Sequence, residues 1–186
     1  TYGYSNSSSH DGVVVMSNYG TINYSGLESN VNSGAATDVV FNLPSGPNVA
    51  SLGDDGVPAN SLSRLSGASL NRTDFANPSG SLTINRGGGA ADTITVNRLP
   101  EFTASLTVGA EVAPVRTINF AGAITLAAGK NLTAFATEAI SLSSGASDIA
   151  ASGTGAISLT TARNISVTTG ASLAPDTTSW SRRAPA

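Results

Sequence analysis

Cysteine is absent from this chain of 186 residues, and charged and aromatic residues are scarce. Without cysteine, the chain has no disulfides, no cysteine nucleophile and no thiolate metal site. Charged residues make up 11% of the chain, against roughly a quarter in ordinary soluble proteins, and aromatic residues make up 5%. So few aromatic residues exclude a large aromatic core, whereas a narrow core of Ile, Leu, Val and Ala fits the composition.

The few charges are weakly acidic in balance, with a formal net charge of −3. Nucleic-acid binding requires clustered cations that neutralise phosphates, so we expect no nucleic-acid partner. No apolar run approaches the ~20 residues of a membrane-spanning helix, so we expect no membrane insertion by this segment. The chain begins at Thr1 without a signal-peptide pattern, and we expect it to be part of a larger polypeptide.

Two apolar columns recur in the C-terminal half at separations of 16 and 17 residues. The first column is Ile124, Ile140 and Ile157, and the second is Leu132, Ile149 and Ile165. A fixed short period with two apolar positions per repeat is the signature of a solenoid. We therefore predict an all-β parallel β-helix with regular rungs of 16–17 residues from about residue 122, in which the members of each column stack on one another.

A polar residue directly precedes each member of the second column. These residues are Asn131, Asp148 and Asn164. Stacked side chains of this kind can form a ladder of hydrogen bonds along a solenoid. The alternative is that Asn and Asp occur there only because they are common in turns.

The chain divides into four parts by pattern. Residues 81–84 return as 105–108, and residues 92–96 return as 116–120, both at an offset of 24 residues. The predicted division is an irregular Gly-, Pro- and Ser-rich β region at 1–80, two offset units at 81–121, short rungs at 122–174 and a loose tail at 175–186. We expect 81–174 to form one solenoid that continues from 1–80.

A glycine-rich turn is a candidate metal site. Gly87, Gly88 and Asp92 belong to a segment that approaches the nonapeptide G-G-x-G-x-D-x-U-x of calcium-binding β-rolls, with Ala90 as the departure. Such sites need ligands from adjacent repeats, and the next repeat has Arg116 in the place of Asp92. A plain glycine turn and a calcium-binding β-roll module therefore both stay open, and we expect no other cofactor.

Acidic residues are too scattered to predict catalysis. Glycoside cleavage needs two carboxylates that flank one bond. No such pair recurs in one column of the repeats, so we expect no enzymatic activity. The remaining alternative is a polysaccharide-acting β-helix enzyme whose acids lie in the irregular N-terminal half. The residues for that alternative are Asp54, Asp55, Asp74 and Arg72.

The repeats resemble those of a known class of proteins. Segments 20–28, 77–85 and 91–96 resemble segments that recur in very large bacterial surface and secreted proteins. The Gly-Ala-Ile-Thr-Leu and Asn-Leu-Thr motifs after residue 122 are similar to filamentous-haemagglutinin-type and autotransporter-type β-helix repeats. The resemblance covers roughly residues 20–174. It implies a right-handed parallel β-helix that serves as a stalk or adhesive segment at the cell surface or outside the cell, with glycans or other cell-surface molecules as partners and no catalytic residues.

Overall fold

The computed structural model describes residues 1–88 and 91–174 and the backbone of 177–182. These residues form an all-β structure of strands and turns. They contain no helix, and therefore none that could cross a membrane. The strands are β1 (Tyr2–Asn6), β2 (Gly12–Met16), β3 (Gly20–Tyr24), β4 (Ser29–Asn32), β5 (Asp38–Asn42), β6 (Val49–Asp54), β7 (Leu62–Gly67), β8 (Leu70–Ala76), β9 (Ser81–Asn85), β10 (Thr93–Val96), β11 (Ser105–Val108), β12 (Val115–Phe120), β13 (Ile124–Thr125), β14 (Leu132–Leu142), β15 (Ile149–Ala150), β16 (Ala156–Thr161), β17 (Asn164–Val167), β18 (Leu173–Ala174) and β19 (Thr177–Arg182).

Most strands fall into three series that pair in parallel. The first series is β1, β5, β9, β11, the first half of β14, β16 and β19. The second is β6, β10, β12, the second half of β14 and β17. The third is β13, β15 and β18, preceded by a bridge from Leu99 to Ile124. From β9 onward the chain visits the first, second and third series in turn and then returns to the first.

The apolar residues of each series stack in register at the centre of the structure. Leu82 pairs with Leu106, and Ile94 with Ile118, so the 24-residue offset read from the sequence is the pairing offset. Alternate residues of these strands are buried and their neighbours only half-buried, as a strand with one inward face requires. A Leu or Ile therefore lies beside a Leu or Ile of the next strand, and the stack stays closely packed.

The predicted 16–17-residue stacking is wrong in register, although its residues are core residues. Ile124 pairs with Ile149, Leu132 with Ile157, and Ile140 with Ile165. All six are fully buried except Ile165, which is partly buried against the core. Successive apolar strand positions lie about eight residues apart. One passage of the chain through the first, second and third series, which we call a circuit, contains three of them. The 16–17-residue period therefore joins residues of different series, and paired residues lie about 25 apart.

The predicted ladder of Asn131, Asp148 and Asn164 is wrong for the same reason. Asn131 precedes a strand of the first series, Asp148 one of the third, and Asn164 begins one of the second. Their contacts run elsewhere: Asn131 Oδ1 accepts a hydrogen bond from the Ala156 N–H at 2.8 Å, and Asp148 Oδ1 accepts one from Ser172 Oγ at 2.6 Å.

An amide ladder does form near the N-terminus, on adjacent strands of the first series. Asn85 Nδ2 donates to Asn42 Oδ1 at 2.9 Å, and Asn42 Nδ2 donates to Ser5 Oγ at 3.1 Å. These three residues occupy paired or successive positions of β1, β5 and β9. A ladder of this kind forms only between residues of paired strands, and the 16–17-residue period did not identify which strands pair.

The N-terminal region carries two antiparallel excursions that explain its irregular sequence. β1, β2 and β3 form one, and β6, β7 and β8 form the other, with β4 parallel to β8. Its core is aromatic: Tyr4 stacks on Phe41 at a centroid distance of 4.6 Å, and Phe75 meets Phe41 edge-on at 5.0 Å.

The predicted loose tail needs a correction over part of its length. The backbone of Thr177–Arg182 forms β19, which pairs in parallel with β16 from Ala156 to Thr161. β19 covers the outer edge of β16, whose backbone donors and acceptors would otherwise lack a partner strand. Residues 175–176 and 183–186, which belong to the same prediction, lie outside the described residues.

Replacing Ile140 with Asp tests the pairing register. Ile140 is fully buried between Ile118 and Ile165, so the variant places an uncompensated charge in the stack. We expect a loss of at least about 3 kcal/mol in the free energy of unfolding, measured by urea denaturation followed by circular dichroism. Ser141→Asp is the matched control, because residue 141 faces outward. Equal stability of the two variants would contradict the described register.

Candidate functional site

A polar notch lies where β6 is flanked by β7 and β10. Its volume is about 240 Å³. We call it the Gly53 notch, and it is lined by Ser51, Gly53, Asp54, Arg64, Ser66, Asn97 and Arg98.

The notch exists because one outward position lacks a side chain. Leu52 and Val96 are fully buried, so Gly53 and Asn97, which follow them, face outward. Gly53 pairs with Arg64 on β7, which leaves it between that arginine and Asn97. A Cβ atom on Gly53 would lie 3.3 Å from the Cβ of Asn97. Any side chain at this position would therefore fill the floor of the notch.

One wall of the notch is held by an ion-pair cluster. The Nε of Arg64 lies 2.6 Å from Oδ1 of Asp74, and its Nη2 lies 2.9 Å from Oδ2. Arg72 Nη2 also donates to Oδ2, at 3.0 Å. The hydrogen bond from Arg64 is the main cause that holds the pKa of Asp74 below its ordinary value, and the same bond raises the pKa of Arg64. Asp74 therefore stays ionised and fixes the Arg64 side chain.

Several polar atoms of the notch are left open to a ligand. Asp54 Oδ1 accepts the Gly56 N–H at 2.7 Å, and the Asp54 carboxyl also lies against the carboxyl of Asp55. Asn97 Nδ2 donates to Ser51 Oγ at 2.8 Å, and within the described residues the Asn97 side-chain oxygen accepts no hydrogen bond. Arg98 is exposed and makes no side-chain hydrogen bond or ion pair in the described part of the chain. The notch therefore presents acceptors and a guanidinium donor together.

The acids that the sequence singled out come close together, but they do not form a catalytic pair. Among the residues lining the notch, Asp54 is the only carboxylate. Asp55 Oδ1 accepts the Val57 N–H at 2.9 Å, and this bond is the main cause that lowers its pKa, although its carboxyl also lies against that of Asp54. Asp74 is engaged by Arg64 and Arg72. Because the pKa of Asp74 is also lowered, that carboxyl is unsuited to donate a proton to a leaving group.

The candidate calcium ligand Asp92 is fully buried and binds N–H groups. Its Oδ1 accepts from the backbone and side-chain nitrogens of Asn48 at 2.9 and 2.8 Å, and its Oδ2 accepts from the Gly87 N–H at 2.8 Å. A Cβ on Gly87 would lie 1.8 Å from the Pro44 oxygen, so only glycine fits there. N–H groups of Asn48 and Gly87 therefore donate to both oxygens of the carboxylate and hold it within the turn.

Gly88, the remaining residue of the calcium hypothesis, follows Gly87 directly. Residues 89–90 of the same segment lie outside the described residues. Among the residues that are described, no group of three His, Cys, Asp or Glu could hold a metal ion. The described contacts therefore favour a structural role for Asp92 over a ligand role.

Sequence reasoning missed the basic half of the notch. Arg64, Asn97 and Arg98 carry no motif, and the last two are 33 or more residues away from Arg64 along the chain. The alternation of residues around Arg64 predicts that its side chain faces outward. Which residues lie beside that side chain depends on the pairing of β6 with both β7 and β10. Only the fold could bring these groups together.

Comparisons of the chain with protein-family models, with curated proteins and with solved structures give no match. The resemblance of the repeats to bacterial surface proteins therefore stays a hypothesis.

Replacing Asp74 with Asn tests the ion-pair cluster. We expect a loss of about 1–2 kcal/mol at pH 7, below the upper range for charged hydrogen bonds because Arg64 and Arg72 are partly exposed and water screens them. The folded-state pKa of Asp74 is lowered, so its contribution is complete above about pH 5 and fades as pH falls below about 4. Urea denaturation at several pH values measures this.

Exposed Glu28→Gln is the control for the Asp74 variant. A difference between wild type and Asp74→Asn that does not shrink as the pH falls from 5 toward 2 would contradict the ionic account, because protonation of Asp74 removes that charge from the wild type as well.

Replacing Asp92 with Asn tests its structural role. The amide keeps one acceptor but sets an NH₂ group against an N–H donor, so we expect a loss of about 1–3 kcal/mol in the free energy of unfolding. Wild-type melting temperature should be the same in millimolar calcium and in excess chelator. A rise in melting temperature with calcium that Asp92→Asn abolishes would reinstate the β-roll hypothesis.

Proposed function

We propose that the chain is a structural and adhesive segment of an exported bacterial protein, built as a right-handed parallel β-helix. The observation that carries this proposal is the joint advance of three parallel series, with paired residues 21 to 26 apart from β9 onward. Parallel strands joined by crossovers are right-handed in about 98% of cases, which supports the proposed hand. Such a stack extends along one axis and makes length and surface.

The outward positions support a display role. Thr83, Thr107, Thr133 and Ser158 occupy paired positions of β9, β11, β14 and β16, and all are half-buried. A column of hydroxyl groups without charge can exchange hydrogen bonds with the hydroxyl groups of glycans. Each such bond contributes little on its own, but a long surface repeats it many times, and linked weak contacts add up to high avidity.

The resemblance of the repeats to filamentous-haemagglutinin-type and autotransporter-type β-helices points the same way. It supports a location at the bacterial cell surface or outside the cell, within a larger polypeptide. The absence of cysteine fits passage through an oxidising compartment without mispaired thiols.

The notch supports binding rather than cleavage, so the proposal is for a protein without enzymatic activity. Glycosidases place two carboxylates about 5–10 Å apart across the bond. Here Asp54 is the single carboxylate in the lining, and Asp74 is held ionised by Arg64.

Beads coated with the chain test the adhesive role. We expect them to adhere to epithelial cell monolayers and to lose adhesion when the monolayers are first oxidised with periodate, which cleaves the vicinal diols of glycans. Adhesion is counted by microscopy, with albumin-coated beads as the control. Equal adhesion to untreated and oxidised cells, or none above albumin, would contradict the glycan-binding proposal.

A further inference from the structure

We propose that the Gly53 notch is a binding site for one ring of a neutral saccharide. The proposal names a ligand and a site for the adhesive role proposed above. It rests on that role only for its biological context, because the chemistry of the notch lining supports the site directly.

The size of the notch fits one sugar ring. Its volume is about 240 Å³, just below the ~300 Å³ at which pockets for drug-sized molecules begin. An oligosaccharide would extend beyond it, and a planar aromatic ligand would find no apolar wall, because no aromatic residue lines the notch.

The lining matches groups that donate and accept hydrogen bonds at once. The Asp54 carboxylate and the Asn97 side-chain oxygen can accept, and the Arg98 guanidinium can donate. Each sugar hydroxyl has one donor and two acceptor sites, so adjacent hydroxyls can satisfy both kinds of group. A carboxylate ligand, which only accepts, would leave Asp54 unsatisfied.

The charge of the lining favours a neutral ligand over an acidic one. Arg64 is neutralised from behind by Asp74, which leaves Asp54 and Arg98 as the two opposite charges at the notch. An acidic sugar would meet the Asp54 carboxylate as well as Arg98. A neutral sugar gains charge-assisted hydrogen bonds from both groups without repulsion.

The notch is also fixed before the ligand arrives. Asp74 holds Arg64 by two hydrogen bonds, and Asn97 Nδ2 is held by Ser51 Oγ and by the Leu52 carbonyl oxygen at 3.3 Å. Side chains already ordered lose little entropy on binding. Without an aromatic stacking partner, we expect weak binding with a Kd on the order of 1 mM.

Titration of the ¹⁵N-labelled chain with methyl glycosides of glucose, galactose and mannose tests the proposal. At up to about 50 mM, well above a ~1 mM Kd, at least one glycoside should give saturable shifts of the Gly53, Ser66 and Asn97 amide signals. Sodium glucuronate is the acidic comparison, and it should bind at least about tenfold more weakly.

Three variants localise the effect. Arg98→Met removes the free guanidinium, Asp54→Asn removes the carboxylate while keeping an oxygen for the Gly56 N–H, and Gly53→Ser fills the floor. Each should weaken binding at least about tenfold. Arg116→Met is the matched control, because Arg116 is also exposed but pairs with Glu138 and does not line the notch. It should bind like wild type.

The outcomes separate this proposal from the adhesive role. Absence of saturable shifts, tighter binding of glucuronate than of every neutral glycoside, or unchanged binding in Arg98→Met would each overturn the notch as a neutral-sugar site. If no glycoside bound in the titration but wild-type beads still adhered to cells in a periodate-sensitive way, adhesion would run through another surface, and the notch proposal alone would fail.

Discussion

In-register stacking of like apolar side chains is the constraint on which the structure depends. In each of the three series, parallel pairing sets a Leu, Ile or Val beside a similar residue of the next strand, as with Ile118, Ile140 and Ile165. A slip of one residue would turn the whole inward face toward solvent. Because few aromatic residues are available, this narrow stack supplies most of the apolar burial of the C-terminal half.

The antiparallel excursion of β7 and β8 turns this scaffold into a surface with a specific shape. β7 pairs with β6 on the side opposite β10, so outward residues of three strands meet at Gly53. The apolar stack beneath holds these strands still, and the missing side chain at Gly53 makes the depression. The notch therefore lies at the irregular part of the structure, where antiparallel strands interrupt the parallel series.

The scarce carboxylates hold turns and insertions in place. Asp92 binds the 44–48 turn and Gly87, and Asp74 binds two arginines of the excursion. The Glu101 carboxylate accepts the backbone N–H groups of Ala59 and Ser61, which both have positive φ. Non-glycine residues in that region are strained, and these bonds offset part of the cost. The loops bury few apolar side chains, so hydrogen bonds and ion pairs to these carboxylates hold them in place instead.

The apolar face, the 24-residue offset and the alternation of the strands from residue 81 onward could be predicted from the amino-acid sequence, because alternation and repetition are local properties of the chain. Ile124, Ile140 and Ile157 were predicted as core residues, and the structure buries all three. Which strand pairs with which could not be predicted, because a recurring interval of about eight residues is compatible with two or three strands in each circuit. That each circuit contains three strands is a property of the folded chain. The same pairing brought Arg64, Asn97 and Arg98 to one notch, since residues distant in sequence become neighbours only when the strands pair.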